Sequence, residues 1–223
     1  MFTKNQGDDS WMSVSDMMSG LMMIFLLIAI IYINNFAEQA NQIERTQKTI
    51  CKNIIDEFIA EQKEWNMSVC EDGLLVSFDS DSVFDKGEAS LKSEFKLILL
   101  KFLPRFMGII IKNQKDIQEL RIEGHTSSEY DAPSKEKRYV KNTHLSQRRS
   151  YSVMEFVFEA IDDPSRLNWL TTNLTAHGMS SSRLKLKESG KEDKQRSRRV
   201  EFRIQTNIQD KLIEEFTSKN VMP

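Results

Sequence analysis

Between residues 17 and 33 the chain carries no charged side chain: MMSGLMMIFLLIAIIYI. With 13–16 before it and 34–36 after, the run gives about 22–24 helical residues, about 33–36 Å long, which spans a bilayer. A helix this apolar on every side suits lipid better than a soluble core, where one face meets water. A cleaved leader fits poorly, because Lys4 is set against Asp8 and Asp9 and no A-x-A site follows. The pattern predicts an N-terminal tail over 1–12 and an uncleaved membrane helix over 13–36.

Beyond it the pattern changes to that of a soluble protein. Residues 37–66 read as a polar connector helix. In and just ahead of it, Phe36, Ile43, Ile50, Ile54 and Phe58 recur at near-heptad spacing, with Ala40 and Gln47 on the same line. So narrow a stripe either pairs with a second copy or packs on the domain that follows. A strand is expected over 74–78 and an amphipathic helix over 87–103, which Pro104 breaks or bends. Leu120 and Ile122 alternate with Arg121 and Glu123 in a second strand that runs into Gly124-His125-Thr126. A helix follows over 145–161, and Val200, Phe202 and Ile204 alternate with Glu201, Arg203 and Gln205 in a last strand. Strands separated by helices make this an α+β chain, with a two-layer sandwich over 67–206 and a short helical tail over 207–223.

Composition narrows the function classes. The formal net charge of −2 lacks the basic excess of a nucleic-acid binder. No GxxxxGK[ST] supports an ATP-driven P-loop engine. Two cysteines make neither a disulfide-rich scaffold nor a four-ligand zinc site. The histidines, His125, His144 and His177, are dispersed, which argues against a metal site, and no nucleophile–histidine spacing points to an enzyme.

Two charged residues sit where the pattern wants apolar ones. Asp16 lies in the membrane segment, since Trp11, Met12 and Val14 extend apolar character ahead of it. A carboxylate at the centre of such a helix costs about 2.5–3.5 kcal/mol, less near an end. Helical spacing groups Ser13, Gly20 and Met23 with Asp16, with Ser19 beside them, as a close helix contact or a wet ion path requires. An interfacial cap is the alternative. Arg149 falls on the inward stripe of the 145–161 helix and needs an anion or a carbonyl to receive it. Both cysteines lie beyond the membrane helix, as does all the foldable sequence. The expected topology has a cytoplasmic N-terminus and an outward-facing domain, in which Cys51 and Cys70 bridge connector and domain; two free thiols are the alternative if the domain is cytoplasmic.

WMSVSDMMSGLMMIFLLIAI resembles the single membrane helix of ion-driven stator B subunits, the family of MotB, ExbD and TolR. In detail it is more like the B subunits of Zorya anti-phage systems than flagellar MotB, whose pattern reads closer to A-D-F-M-T-A-M-M-A-F behind a longer basic tail, from which the short, slightly acidic tail over 1–10 departs. The resemblance implies that Asp16 carries the transported ion, a proton, with Ser13, Ser19 and Gly20 lining its path, and that no other cofactor is needed. IEGHTS, NTHLSQRRSYSVMEFVF and RSRRVEFRI, in that order, are similar to the OmpA-like peptidoglycan-binding domain, with its GHTD, N-x-x-L-S-x-x-R-A-x-x-V and N-R-R-V-E. That likeness implies that Asn142, Leu145, Arg149, Ser127 and Arg199 belong to a site for the diaminopimelate of the wall peptide. Ser127 replaces the family's acid, for which Glu129 or Asp131 are candidate substitutes. The insert SSEYDAPSKEKRYVK is long, and Ser197 stands where the family has Asn.

Together the resemblances imply a bacterial inner-membrane motor part. Two copies would sit inside a pentameric ring of a MotA-like membrane subunit, anchored to peptidoglycan in the periplasm and acting indirectly on a cytosolic effector. A flagellar or nutrient-uptake energiser and a passive membrane-tethered wall linker remain as alternatives.

Overall fold

The computed structural model describes residues 7–207, and side chains from Val14 onward except those of residues 39, 40, 42 and 43. The expected tail helix, Asn207 apart, and the side chains of Ser13, Ala40 and Ile43 lie outside the described residues. The chain divides into two compact units, Met1–Arg45 and Thr46–Pro223.

Helix α1 (Gly7–Phe58) starts ahead of the expected position 13, with the acidic residues Asp8 and Asp9 in its first turn, where such residues favour a helix start. Its segment Val14–Glu38 has a mean hydropathy of 2.2 over its most apolar window and is long enough to cross a membrane. Every side chain of that segment is exposed on the chain alone.

The second unit is built on one sheet. Its strands are β1 (Met67–Val69), β2 (Leu75–Asp79), β3 (Ile117–His125), β4 (Leu174–Gly178) and β5 (Arg199–Thr206), in the order β1-β2-β5-β3-β4. Only β3 and β4 run parallel. The helices are α2 (Ser80–Val83), α3 (Ser93–Lys112), α4 (Lys135–Ala160), α5 (Pro164–Asn173) and α6 (Lys194–Ser197). Parallel neighbours need a crossover, which α4 and α5 supply.

Strand alternation divides the sheet into two chemically different faces. Val76, Phe78, Leu120, Ile122, Val200 and Phe202 join Phe95, Leu99, Phe102, Phe106, Val153 and Val157 in one apolar cluster. Aromatic rings fill its middle, with Phe78 edge-on to Phe95 and Phe102 at 5.2 and 5.3 Å. The opposite face carries Arg199, Glu201, Arg203 and Glu123.

Two helices differ from expectation. Instead of ending near Pro104, α3 continues to Lys112. The missing N–H and ring clash cost about 3 kcal/mol, but Phe106, Met107 and Ile110 are all buried beyond the proline, so continuing recovers more than stopping would. Helix α4 starts at Lys135, ahead of the expected 145, because Ser134 caps it by accepting from the Lys137 N–H at 3.2 Å. Half of the long insert is thus helical.

The stripe along α1 resolves in favour of the domain where it can be followed. Ile50, Ile54 and Phe58 are fully buried in the core, while Phe36 is exposed. Arg105 of α3 fixes this end of α1. Its Nε and Nη1 donate to Glu57 and Glu61, each at 2.6 Å, and its guanidinium lies 4.6 Å from the Phe58 ring centroid. Cys51 and Cys70, separated by 19 positions, are bonded, with their Cα atoms 6.2 Å apart.

Opening the Cys51–Cys70 bond, by reduction or by changing both residues to Ser, should lower the unfolding free energy by about 3 kcal/mol. The reading is a shift in the denaturant midpoint. Two free thiols by mass spectrometry in the native protein, with an unmoved midpoint, would contradict it.

Candidate functional site

The first candidate site lies where α4 crosses the sheet. Two glycines let the backbones touch: a Cβ at Gly124 would collide with the Ser146 carbonyl oxygen, and one at Gly178 would come within 2.5 Å of the Gln147 nitrogen. The contact is fastened by hydrogen bonds. The Gly178 N–H donates to Gln147 Oε1 at 2.7 Å, and the Ser180 N–H donates to Ser146 Oγ at 3.0 Å. This seating fixes the turn of α4 that carries Arg149.

Arg149 is only 5% exposed. Its Nε donates to the Glu88 carbonyl at 2.8 Å, Nη1 to Ser80 Oγ at 3.0 Å, and Nη2 to the Asp85 carbonyl at 3.4 Å. The guanidinium stacks over Phe84, 4.9 Å from the ring centroid. No carboxylate of the described residues reaches ion-pair distance. Burial pushes its pKa down to about 10, opposed by the charges of Asp81 and Glu88 and reinforced by Arg198. It therefore stays cationic at neutral pH with two of its N–H groups uncommitted, the arrangement that suits an incoming carboxylate.

The other sequence candidates divide. Asn142 is buried two turns earlier on α4, and its Nδ2 donates to the Ser127 carbonyl at 3.1 Å, holding the loop after β3. Ser127 is buried, and Leu145 is half-buried on the same helix. Arg199 is not brought to Arg149. Its Nε meets Glu201 Oε1 at 2.5 Å, and its Nη1 donates to the carbonyls of Arg183 and Ser197, on the sheet face away from the core. Arg198 is the neighbour whose charge reaches Arg149, and it pairs with Asp81 at 2.9 Å. Of the substitute acids, Glu129 pairs with Lys194, and Asp131 is exposed. A different carboxylate, Glu192, accepts from the Ser128 N–H at 2.9 Å and the Ser128 hydroxyl at 2.5 Å.

The second candidate site lies on α1. Asp16, Ser19 and Gly20 are exposed and share one face by helical spacing. Ser19 Oγ donates to the Ser15 carbonyl at 2.8 Å, and a Cβ at Gly20 would meet nothing, so a neighbouring helix has room to approach there.

One further cluster could hold a cation. Glu123, His125 and Glu201 are buried, with ligand atoms within 4.8 Å of one another. Arginines already take these carboxylates: Arg183 meets Glu123 at 2.9 Å, and Arg203 meets Glu201 at 2.5 Å. With Arg199 as well, three guanidiniums outnumber two carboxylates, and a metal ion would have to displace them. His125 Nε2 stands 3.4 Å from Glu123 and 3.6 Å from Glu201 without hydrogen-bond geometry.

The cluster makes stability depend on pH. Burial favours the neutral form of Glu201, but His125 and Arg199 outweigh it and hold the carboxyl well below the usual range; His125, Arg203 and Arg183 do the same for Glu123. Groups depressed in the folded state stabilise above their unfolded pKa and lose that contribution as pH falls. The denaturant midpoint should therefore decline as pH drops below the ordinary carboxylate value of 4.5, and Glu201→Gln should flatten the decline. A midpoint constant from pH 6 down to about pH 3 would contradict it. In the same assay Gly124→Ala should cost about 1–3 kcal/mol by forcing α4 off the sheet.

No protein-family model matches the chain. Among curated proteins it is 35% identical over 215 residues to the Zorya protein ZorB of an Escherichia coli strain, covering 92% of each chain. It is also 25% identical over 209 residues to the Zorya protein ZorB of Escherichia coli O139:H28, covering 87% of this chain and 79% of that one. A MotB-like protein from Desulfovibrio vulgaris shares the fold, with a TM-score of 0.53 at 21% identity over 74% of this chain and 94% of its own. With that identity over nearly its whole length, the chain belongs to the family of the Zorya protein ZorB.

Proposed function

We propose that this chain is the B subunit of a proton-driven, stator-like motor of the inner membrane, acting in anti-phage defence and anchored to peptidoglycan through its C-terminal domain. The observation that carries the anchor is the buried Arg149, charged, unpaired with any carboxylate of the described residues and only partly committed in its donors. A wall peptide offers a carboxylate to complete it, with Asn142 and Ser127 shaping the adjoining loop and Leu145 beside them. Ser127 offers no carboxylate to pair with a ligand amine, which leaves that charge to other groups of this loop.

The motor half of the proposal rests on Asp16. A carboxylate on a membrane-length helix, beside Ser19 and Gly20, can pick up a proton on one side and release it on the other as its surroundings change. A proton crossing 100 mV supplies about 2.3 kcal/mol. Two copies, each offering one Asp16, would sit within a pentameric ring of a ZorA-like membrane subunit. Alternate protonation of the two acids would turn that ring about an axle held still by the wall, and the rotation would activate a cytosolic effector. The Cys51–Cys70 bond favours an oxidising compartment for the domain, which supports a periplasmic domain and a cytoplasmic N-terminus.

Arg149→Ala in the full-length protein should lose most sedimentation with purified peptidoglycan sacculi, and anti-phage protection with it, while its co-purification with the membrane partner persists. Arg149→Lys should recover little, because an ammonium lacks the planar fork. Sedimentation equal to the parent in both variants would remove Arg149 from the anchor.

A further inference from the structure

The first half of α4 is strongly cationic. From residue 135 to 149 it carries Lys135, Lys137, Arg138, Lys141, Arg148 and Arg149 against one acid, Glu136. Cations in the opening turns of a helix oppose its macrodipole, whose positive end lies there. Glu136, held at the helix cap by a backbone N–H and Ser134 and facing Lys135, supplies one negative charge against these cations.

Elsewhere in the domain arginines commonly meet carboxylates, as Arg105, Arg183, Arg196 and Arg198 do. Lys135, Lys137, Arg138, Lys141 and Arg148 make no ion pair among the described residues. Arg138 keeps a buried Nε without a hydrogen-bond partner. Lys137, Lys141, His144 and Arg148 recur at the spacing of one exposed helix face, about 16 Å from end to end. Lys141 Nζ lies 5.4 Å from the Tyr130 ring centroid, and Tyr130 and Tyr139 are 40% and 47% exposed. This face lies on the same turns of α4 as Asn142 and Arg149, about 110° around the helix from Arg149 at 3.6 residues per turn.

We propose that the exposed face of α4 from Lys137 to Arg148 is an electrostatic docking surface for the anionic peptide stems of the cell wall. The inference rests on the wall-binding reading of the Arg149 pocket and extends it. Wall stems carry more carboxylates than amines and repeat along the polymer. A buried pocket grips one carboxylate, whereas a row of solvated cations attracts many in any register. The pocket supplies specificity, and the row supplies capture and a dependence on salt, because exposed charges are screened within about 10 Å at 0.1 M salt. Duplex DNA and anionic lipid offer negative charge too, but neither offers the peptide carboxylate that the Arg149 pocket, on the same turns of α4, is proposed to grip.

The test is sedimentation of the full-length protein in detergent with purified sacculi, across a salt series. The variants are Lys137→Gln/Lys141→Gln/Arg148→Gln, the three single changes, and Arg149→Ala. At low salt the triple variant should bind about tenfold more weakly than the parent, and each single variant about twofold. Its affinity should depend less on salt, with an unchanged denaturation midpoint because all three side chains are exposed. Arg149→Ala should weaken binding at every salt concentration while keeping the parent's salt slope. A triple variant with parental affinity and slope, beside a weakened Arg149→Ala, would overturn the docking surface and leave the pocket standing. Parental binding by Arg149→Ala would instead remove the pocket, and with it the basis of this inference. Salt-sensitive binding of the parent to vesicles of anionic phospholipid, but not to sacculi, would also overturn the proposal.

Discussion

Phe58 and the two residues above it on α1, Ile54 and Ile50, are where a helix with a membrane-length apolar segment becomes part of a soluble core. Burying three such side chains contributes about 1.5–3 kcal/mol each. Arg105 covers Phe58 and ties down Glu57 and Glu61, so the helix end can neither lift nor rotate without exposing an aromatic ring and breaking two charge-assisted hydrogen bonds. The Cys51–Cys70 bond adds a covalent tie about two turns before Phe58. A connector that paired along its whole length with a second copy would have left Ile50, Ile54 and Phe58 in a dimer seam. Their burial within one chain means that the C-terminal domain includes the last turns of α1, and a force on those turns acts on its core.

The domain handles buried charge in two ways, and the contrast separates structure from function. On the sheet face away from the core, Arg183, Arg199 and Arg203 meet Glu123 and Glu201, so each buried charge has an opposite one in contact. Such a network stabilises the fold only while both signs are present, which is why it responds to acid. Arg149, equally buried, meets only carbonyls, a hydroxyl and a ring face. A fold that pairs its other buried guanidinium, Arg199, and leaves this one without an anion among the described residues has the form of a site awaiting a ligand.

Much of this was legible in the sequence. Apolar alternation marked β2, β3 and β5, and an arginine on an apolar helical stripe marked Arg149. The pairing of Arg199 with Glu201 had a signal too: with Val200, Phe202 and Ile204 turned to the core, Arg199 had to share the opposite face with Glu201. Short strands carried too little pattern, so β1 and β4 were not anticipated. Pro104 as a breaker ignored the apolar residues beyond it, and the start of α4 was hidden because Ser134 looked like loop rather than cap. The groups that cradle Arg149 are mostly carbonyls of Asp85 and Glu88, which no side-chain pattern can announce. Gly124 and Gly178 owe their importance to a contact between distant segments, visible only once α4 lies on the sheet.

The proposed motor turns on proton carriage by Asp16. The decisive measurement compares the parent chain with Asp16→Asn and Asp16→Glu, each expressed with the membrane partner and effector of its system, scoring phage plaquing alongside co-purification of the complex. Asparagine keeps size and polarity but cannot take up or release a proton, whereas glutamate retains a titratable carboxyl. The account predicts an assembled complex in every case, full loss of protection with asparagine and partial protection with glutamate. Undiminished protection from an assembled Asp16→Asn complex would contradict it.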